Sequence, residues 1–257
     1  MSETLSTVFN SGLEGDNTDF LANQKGLIID IYHVPSRSSV RFKAFVTSYE
    51  DKFASEYNTE DVYGRMDPIQ TFKGTKRNIS LGWDVVSASQ KEAQENMERC
   101  TTLFKMLYPT YSRLQGGTEG ATSASTITAG PIFRLKFANL IQDVSAGVSE
   151  GTTATAEVAG LVGTISGFKY KPDFDAGFFD EGVGTLFPQT INLSMEYTVN
   201  HTHPLGWGNR EDTTEARTSE WPYNTSASRD AAARDSADAP STGDDDEAAA
   251  DGLEIGG

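Results

Sequence analysis

One cysteine, three histidines and 21 basic against 37 acidic residues are all this 257-residue chain offers for disulfides, metal centres or nucleic-acid surfaces. Cys100 stands alone, so no intrachain disulfide can form, and its place among apolar neighbours marks it as a buried structural thiol. The formal net charge of −16 gains nothing from phosphate backbones, which excludes general nucleic-acid binding. No window approaches the ~20 consecutive apolar residues that span a bilayer. The opening MSETLSTVFNSGLEGD lacks a basic region followed by an apolar run, so no secretory signal is expected, and folding in the cytosol is.

Catalytic signatures are equally scarce. There is no G-x-S-x-G elbow, and the pairs Gly116-Gly117 and Gly256-Gly257 fit neither a P-loop nor a dinucleotide fingerprint. Asp173, Asp175, Asp180 and Glu181 suggest a calcium loop, but Gly177 stands where an oxygen ligand is needed and no glutamate closes the pattern. Turn-forming carboxylates are the simpler reading. His201 and His203 flank Thr202 after the last strand, a spacing that can hold a metal, yet His33 is the only other histidine and lies far away in sequence. The Asn-x-Ser/Thr matches at Asn78, Asn192, Asn200 and Asn224 are chance, two of them falling within strands. The expectation is a protein that is not an enzyme, with no catalytic residue, cofactor or metal.

What the chain does have is patterning. In Arg77 to Val85, the residues Ile79, Leu81, Trp83 and Val85 alternate with Asn78, Ser80, Gly82 and Asp84, the period of a half-buried strand. The period then becomes helical, with Ala93, Met97, Cys100, Phe104 and Leu107 making one stripe. Ser89 and Glu92 form a capping box at its start, and Pro109 marks its end.

Earlier strands are expected over residues 27–34 and 40–48, joined as a hairpin through Ser36–Ser39. Between Tyr49 and Lys76 lies a long polar span with scattered aromatics, either a loop held by a partner or an extended hairpin arm with ragged pairing. After the helix come Gly/Ser/Thr-rich loops over 114–130 and 145–157, a strand over 132–141, and a strand over 159–171. The three glycines of that last strand imply curvature or close backbone approach. A loop over 173–184 leads to a final strand with Ile191, Leu193, Met195, Tyr197 and Val199 on one face. The count is about six strands and one covering helix.

The acidity is uneven. Residues 209–257 carry 13 acidic and 4 basic side chains among Ala, Ser, Thr and Gly, a composition that cannot offset its ordering entropy. Three parts are therefore expected: an N-terminal arm over 1–25, a β domain over 26–208, and an acidic, disordered tail over 209–257, in which Trp221-Pro222-Tyr223 could dock locally.

The segments VYGRMDPIQTFKGT, RNISLGWDV and EAQENMERCTTLFKMLYPTY resemble structural proteins of large contractile-tailed phages. So do GPIFRLKFANLI, GLVGTISGFKYKPDFDAGFFDE and LFPQTINLSMEYTVNHTHPLGW, and the likeness runs from about Gly26 to Trp207. The element order resembles the phage tail-tube fold, found in tail tubes and in tube-initiating baseplate rings. The resemblance implies a mainly β, α+β domain of sandwich or barrel type and a virion-tail location. It implies a homo-oligomeric ring, usually of six copies, that conducts DNA without binding it specifically, with neighbouring tube, baseplate-hub or sheath proteins as further partners.

In that family the loop between the second and third strands reaches the adjacent ring. Here that makes Tyr57, Asp61, Tyr63, Arg65, Asp67, Pro68 and Phe72 the candidate contact residues. Ile79, Leu81, Trp83, Met97, Cys100, Phe104, Leu107, Leu193, Met195 and Tyr197 are the candidate core. The polar N-terminal arm and the acidic tail depart from a plain tube subunit and favour a specialised ring near the baseplate. Two alternatives remain: a baseplate or fibre module that binds glycan or peptidoglycan through Tyr57, Tyr63, Trp221 and Tyr223, and a metal-assisted hydrolase using His201 and His203.

Overall fold

Seven strands make the main antiparallel sheet: β1 (Ile28–His33), β2 (Ser38–Lys43), β3 (Phe45–Glu60), β4 (Ile69–Val86), β7 (Phe133–Phe137), β8 (Leu161–Gly182) and β9 (Thr185–Val199). Their spatial order is β2-β1-β7-β8-β9-β4-β3. Short hairpins β5 (Thr110–Arg113) with β6 (Ser125–Ala129), and β10 (Trp207–Arg210) with β11 (Thr213–Ala216), stand beside it. Helix α1 spans Gln90–Met106, and a single turn, α2, spans Ala156–Ala159. This is a computed structural model, and it describes residues 22, 25–113, 125–144, 154–210, 213–216 and 221–223. The chain divides into two units, Met1–Asn224 and Thr225–Gly257, and every described residue belongs to the first.

The two edge strands meet at one corner, because only Ala44 separates the end of β2 from the start of β3. The single strand expected over 40–48 is two, β2 ending at Lys43 and Phe45 opening β3 after this corner. The sheet must therefore bend round its core so that its first and last strands share this corner. No pairing closes it among the described residues, so it is an open, curled sheet and not the closed barrel that the sequence allowed.

The core lies on the concave side. Ile29, Ile31, Val40, Phe42, Ile79, Leu81, Trp83, Phe133, Leu135, Ile191, Leu193, Met195 and Tyr197 are buried there, joined by Cys100, Leu103 and Met106 of α1. Tilted ring contacts link Trp83 to Phe42 and to Phe168. Tyr197 donates its hydroxyl to the carbonyl of Leu161 at 2.7 Å, with that of Phe133 at 3.0 Å, and burial holds the phenol far above its ordinary pKa. Burial also pushes the Cys100 thiol up to about 12, which makes it unreactive at neutral pH.

Helix α1 begins as its sequence dictates. Ser89 Oγ accepts from Glu92 N at 3.2 Å, and Glu92 Oε2 accepts in return from Ala88 N at 2.8 Å. Its buried line is Ala93, Asn96, Cys100, Leu103 and Met106, whereas Met97, Phe104 and Leu107 are half-buried along its flank. The stripe is rotated from the apolar pattern because a polar residue, Asn96, sits at its centre. Asn96 Nδ2 donates to Ser87 Oγ at 3.0 Å, so the amide is satisfied inside. Phe104 nonetheless packs edge-on against Phe168 and Tyr170.

Of the three glycines, Gly163 in β8 and Gly160 just before it sit where close approach requires them, whereas a Cβ on Gly167 would make only ordinary contact with Glu196. A Cβ on Gly163 would collide with the carbonyl oxygen of Thr198 and the ring of Tyr197, and one on Gly160 with the carbonyl of Ala156. A register shift lies between Ile165 and Gly167.

Several boundaries move. The strand expected over 132–141 stops at Phe137, where the chain turns tightly and Phe137 and Ile141 exchange backbone hydrogen bonds of 2.9 and 3.0 Å. Part of the loop expected over 114–130 is strand β6, and α2 lies at the end of that expected over 145–157; residues 114–124 and 145–153 fall outside the described ones. The N-terminal arm falls outside them too, except Ala22 and Lys25. Beyond 208 the described residues are the rest of β10, β11 and Trp221–Tyr223.

Candidate functional site: the projecting arms

The polar span of 49–76 is a hairpin. β3 and β4 pair from Phe45↔Asp84 out to Glu60↔Ile69, with register shifts at Val46/Ser48 and Glu56/Tyr57. β4 pairs with β9 only from Arg77↔Val199 to Val86↔Thr190. The residues from Ile69 to Lys76 thus have a neighbour on one side only, and at ~3.4 Å per residue they carry the hairpin ~27 Å beyond the sheet.

Every candidate contact residue sits on this arm. Tyr57 and Phe72 meet edge to face at 5.6 Å across the shaft, both more than half exposed. Asp61, Tyr63, Arg65, Asp67 and Pro68 form the connecting turn, where Gly64 adopts φ +90°. At the tip Tyr63 and Met66 are fully exposed, at 106% and 99%. Glu56 is bound by Lys76 at 2.6 Å and approached by Lys73 at 3.9 Å, which lowers its carboxyl pKa.

The root of the arm is locked. Arg77 is 0% exposed, and its guanidinium reaches Asp51 through Nε at 3.1 Å to each carboxylate oxygen and through Nη2 at 2.7 Å. Phe53 and Tyr223 flank the same guanidinium at 5.2 and 5.9 Å. Tyr223 donates to Asp51 Oδ2 at 3.1 Å, and Trp221 sets its ring edge-on to Phe53 at 5.6 Å. Desolvation, then Asp51, raises the Tyr49 and Tyr223 phenols, so both stay protonated donors. Patterning gave no hint of this cluster beyond the aromatic Trp-Pro-Tyr in a polar stretch, because an arginine opening a strand reads as surface.

A second arm points the other way. β8 and β9 stay paired past Thr190, out to Gly182↔Thr185, with a wide irregularity between Asp173 and Phe178. β4 ends at Thr190's partner Val86, so this hairpin leaves the opposite end of the β4–β9 pair. The span expected as a loop over 173–184 is its shaft and turn. Asp173 Oδ1 accepts from Asp175 N and Asp180 Oδ1 from Gly182 N, at 3.1 and 3.0 Å, so these carboxylates shape the backbone. Phe174, Phe178, Val183 and Leu186 are exposed along it.

Between the arms, the convex face of the sheet is polar. Its floor is Ser48, Ser80 and Ser194, and its charges have both signs, with Glu50 and Glu196 beside Lys169 and Lys171. His201 and His203 line a cavity of only about 10 Å³ beside Arg77 and Trp221, room for about one water. Desolvation, then Arg77, then His203, lowers the His201 pKa. No cluster of three His, Cys, Asp or Glu suited to a metal occurs among the described residues. No helix is long and apolar enough to cross a membrane.

No family model matches the chain, and no curated protein matches it. Among solved structures it is similar to a chain in the six-fold symmetrised baseplate of the anti-feeding prophage, at 9% identity and a TM-score of 0.22, over 68% of this chain and 88% of that one.

Proposed function

We propose that this protein is a structural subunit of a phage tail, which assembles with copies of itself into a ring in the tail tube or at its junction with the baseplate. One observation carries the assembly reading. The β3–β4 arm places Tyr63, Met66, Phe72 and Tyr57 in solvent on a shaft that packs on nothing else of the described chain. Apolar side chains held out on a rigid extension need a partner surface to cover them. The outer edges of β2 and β3 are unpaired among the described residues, and pairing between copies would remove both. The phage-tail assignment comes from the sequence resemblance, and the ring of about six copies follows from it in turn.

As a conduit, the ring would turn the mixed-charge convex face or the sheet edge to its bore, and DNA would pass without a basic track to hold it. The glycan-binding alternative loses two of its four aromatics, since Trp221 and Tyr223 are packed inward against Phe53 and Arg77.

Electron microscopy of the purified protein over a concentration series tests the reading. Closed rings or stacked rings are expected. A protein that stays monomeric at every concentration, alone and with tail partners, contradicts it.

A further inference from the structure

Each end of the main sheet carries one arm, and the two arms differ in charge. Residues paired in sequence across one end are Arg77↔Val199, Val199↔Gly163, Gly163↔Phe133 and Phe133↔His33, and the β3–β4 arm leaves from there. The β8–β9 arm leaves from the other end, beyond Asp173↔Thr190 and Val86↔Thr190.

From Pro172 to Pro188 the chain has four carboxylates, Asp173, Asp175, Asp180 and Glu181, and no lysine, arginine or histidine. The β4 strand of the other arm is the reverse. From Ile69 to Lys76 it has Lys73 and Lys76 and no acid, and no strand pairs with its outer side there among the described residues. Both lysine side chains are more than half exposed, and Glu56 lies 3.9 Å from one and 2.6 Å from the other. One carboxylate against two ammoniums leaves an excess of positive charge at this point. Both arms also hold apolar side chains in solvent, Phe72 and Ile69 on one, Phe174 and Phe178 on the other.

These charges choose between two ways of joining copies. A two-fold pairing of β8–β9 arms sets four carboxylates against four, which like-charge repulsion disfavours. A head-to-tail contact sets acid against base and apolar against apolar. We propose that the β8–β9 arm of one copy docks along the outer side of the β4 strand in the β3–β4 arm of the next, its carboxylates meeting Lys73 and Lys76 and its phenylalanines covering Phe72. This rests on the assembly reading above and adds to it the surface that receives the arm. Every copy then gives one arm and receives the other, a heterologous contact that closes into a ring or repeats along a stack. The apolar groups hold the contact, and the charges set its partner and register.

Charge exchange in the full chain tests this. One variant carries Lys73→Glu with Lys76→Glu. A second carries Asp175→Lys with Glu181→Lys, which leaves the turn-forming Asp173 and Asp180 in place. Alone, the first opposes acid to acid, and the second loses the attraction between its arms. In an equimolar mixture the substituted arms attract each other, and so do the unsubstituted ones, so the two variants should assemble in alternation. Sedimentation should show that each variant alone needs at least about tenfold more protein to assemble than the wild type, and that the mixture recovers wild-type assembly. The milder pair Lys73→Gln with Lys76→Gln should weaken assembly in part, and raising the salt should weaken that of the wild type. Denaturation midpoints equal to the wild type are expected throughout, because all the substituted positions lie on the arms. Variants that assemble alone like the wild type, or a mixture of folded variants that stays dissociated, would overturn the arm-to-arm contact while leaving the assembly reading intact. A wild-type chain that never assembles would overturn both.

Discussion

Residues 69–76 and residues 77–86 belong to one strand, yet only the second stretch has strands on both sides and a core beneath it. In the second, Ile79, Leu81 and Trp83 are almost wholly buried, and the apolar alternation is plain. In the first, neither Ile69-Thr71-Lys73-Thr75 nor Gln70-Phe72-Gly74-Lys76 makes an apolar face, because both faces are wet. Backbone pairing is continuous across the junction. The difference therefore lies in burial, and Arg77 marks the boundary with a paired charge closed over by Trp221 and Tyr223.

Substitutions along this strand should separate the two stretches sharply. Trp83→Ala opens a void in the core and should cost about 3–5 kcal/mol in chemical denaturation, while Phe72→Ala on the arm should stay within about 0.5 kcal/mol. Equal costs would mean that the arm is packed after all. At the boundary, Arg77→Met strands the Asp51 carboxylate without its cation and should cost about 3 kcal/mol. Adding Asp51→Leu should restore most of that stability, and a double variant as unstable as the single would remove the ion pair from the account. Gly163→Ala, away from the strand but under the same core, should cost about 2 kcal/mol through its collision with Thr198 and Tyr197.

The smallest effect concerns pH. His33 is buried against the ring of Phe133, with its Nδ1 2.8 Å from Ser36 Oγ, and burial lowers its pKa. The unfolded chain then takes up the proton more readily than the folded one, near an ordinary pKa of about 6.5. Stability is full above that value and declines as the pH falls below it. Urea midpoints should drop between about pH 7.5 and 5.5, a window in which ordinary carboxylates stay ionised. His201, whose pKa is lowered too, adds a slope of the same sign, so His33→Asn should reduce the slope without abolishing it, and an unchanged slope would assign it to His201 alone.

What sequence makes legible follows from the same contrast. Hydrophobic alternation reports a strand with one dry face, so the central strands and helix α1 could be read directly. A two-stranded arm with no dry face carries no such signal: the β3–β4 extension reads equally as a loop or as an extended hairpin arm with ragged pairing, and the β8–β9 extension reads as a loop. The site was half legible: Tyr57, Tyr63 and Phe72 stand out as aromatics in a polar span. That this span is a shaft with a locked root depends on Asp51, Phe53 and Trp221–Tyr223 converging on Arg77, which no local pattern encodes. Asn96 shows the same limit in the helix, where a satisfied buried amide hides the true centre of the stripe.

The proposed division of labour gives assembly to the β3–β4 arm and folding to the core beneath β4 and β9. Replacing Tyr57–Lys73 with Asn-Gly keeps the Glu56↔Gly74 pair and closes the hairpin with a two-residue turn. Electron microscopy and sedimentation of this variant beside the wild type give the most direct test. An unchanged denaturation midpoint with rings lost is expected. Rings that form normally without the arm would contradict it.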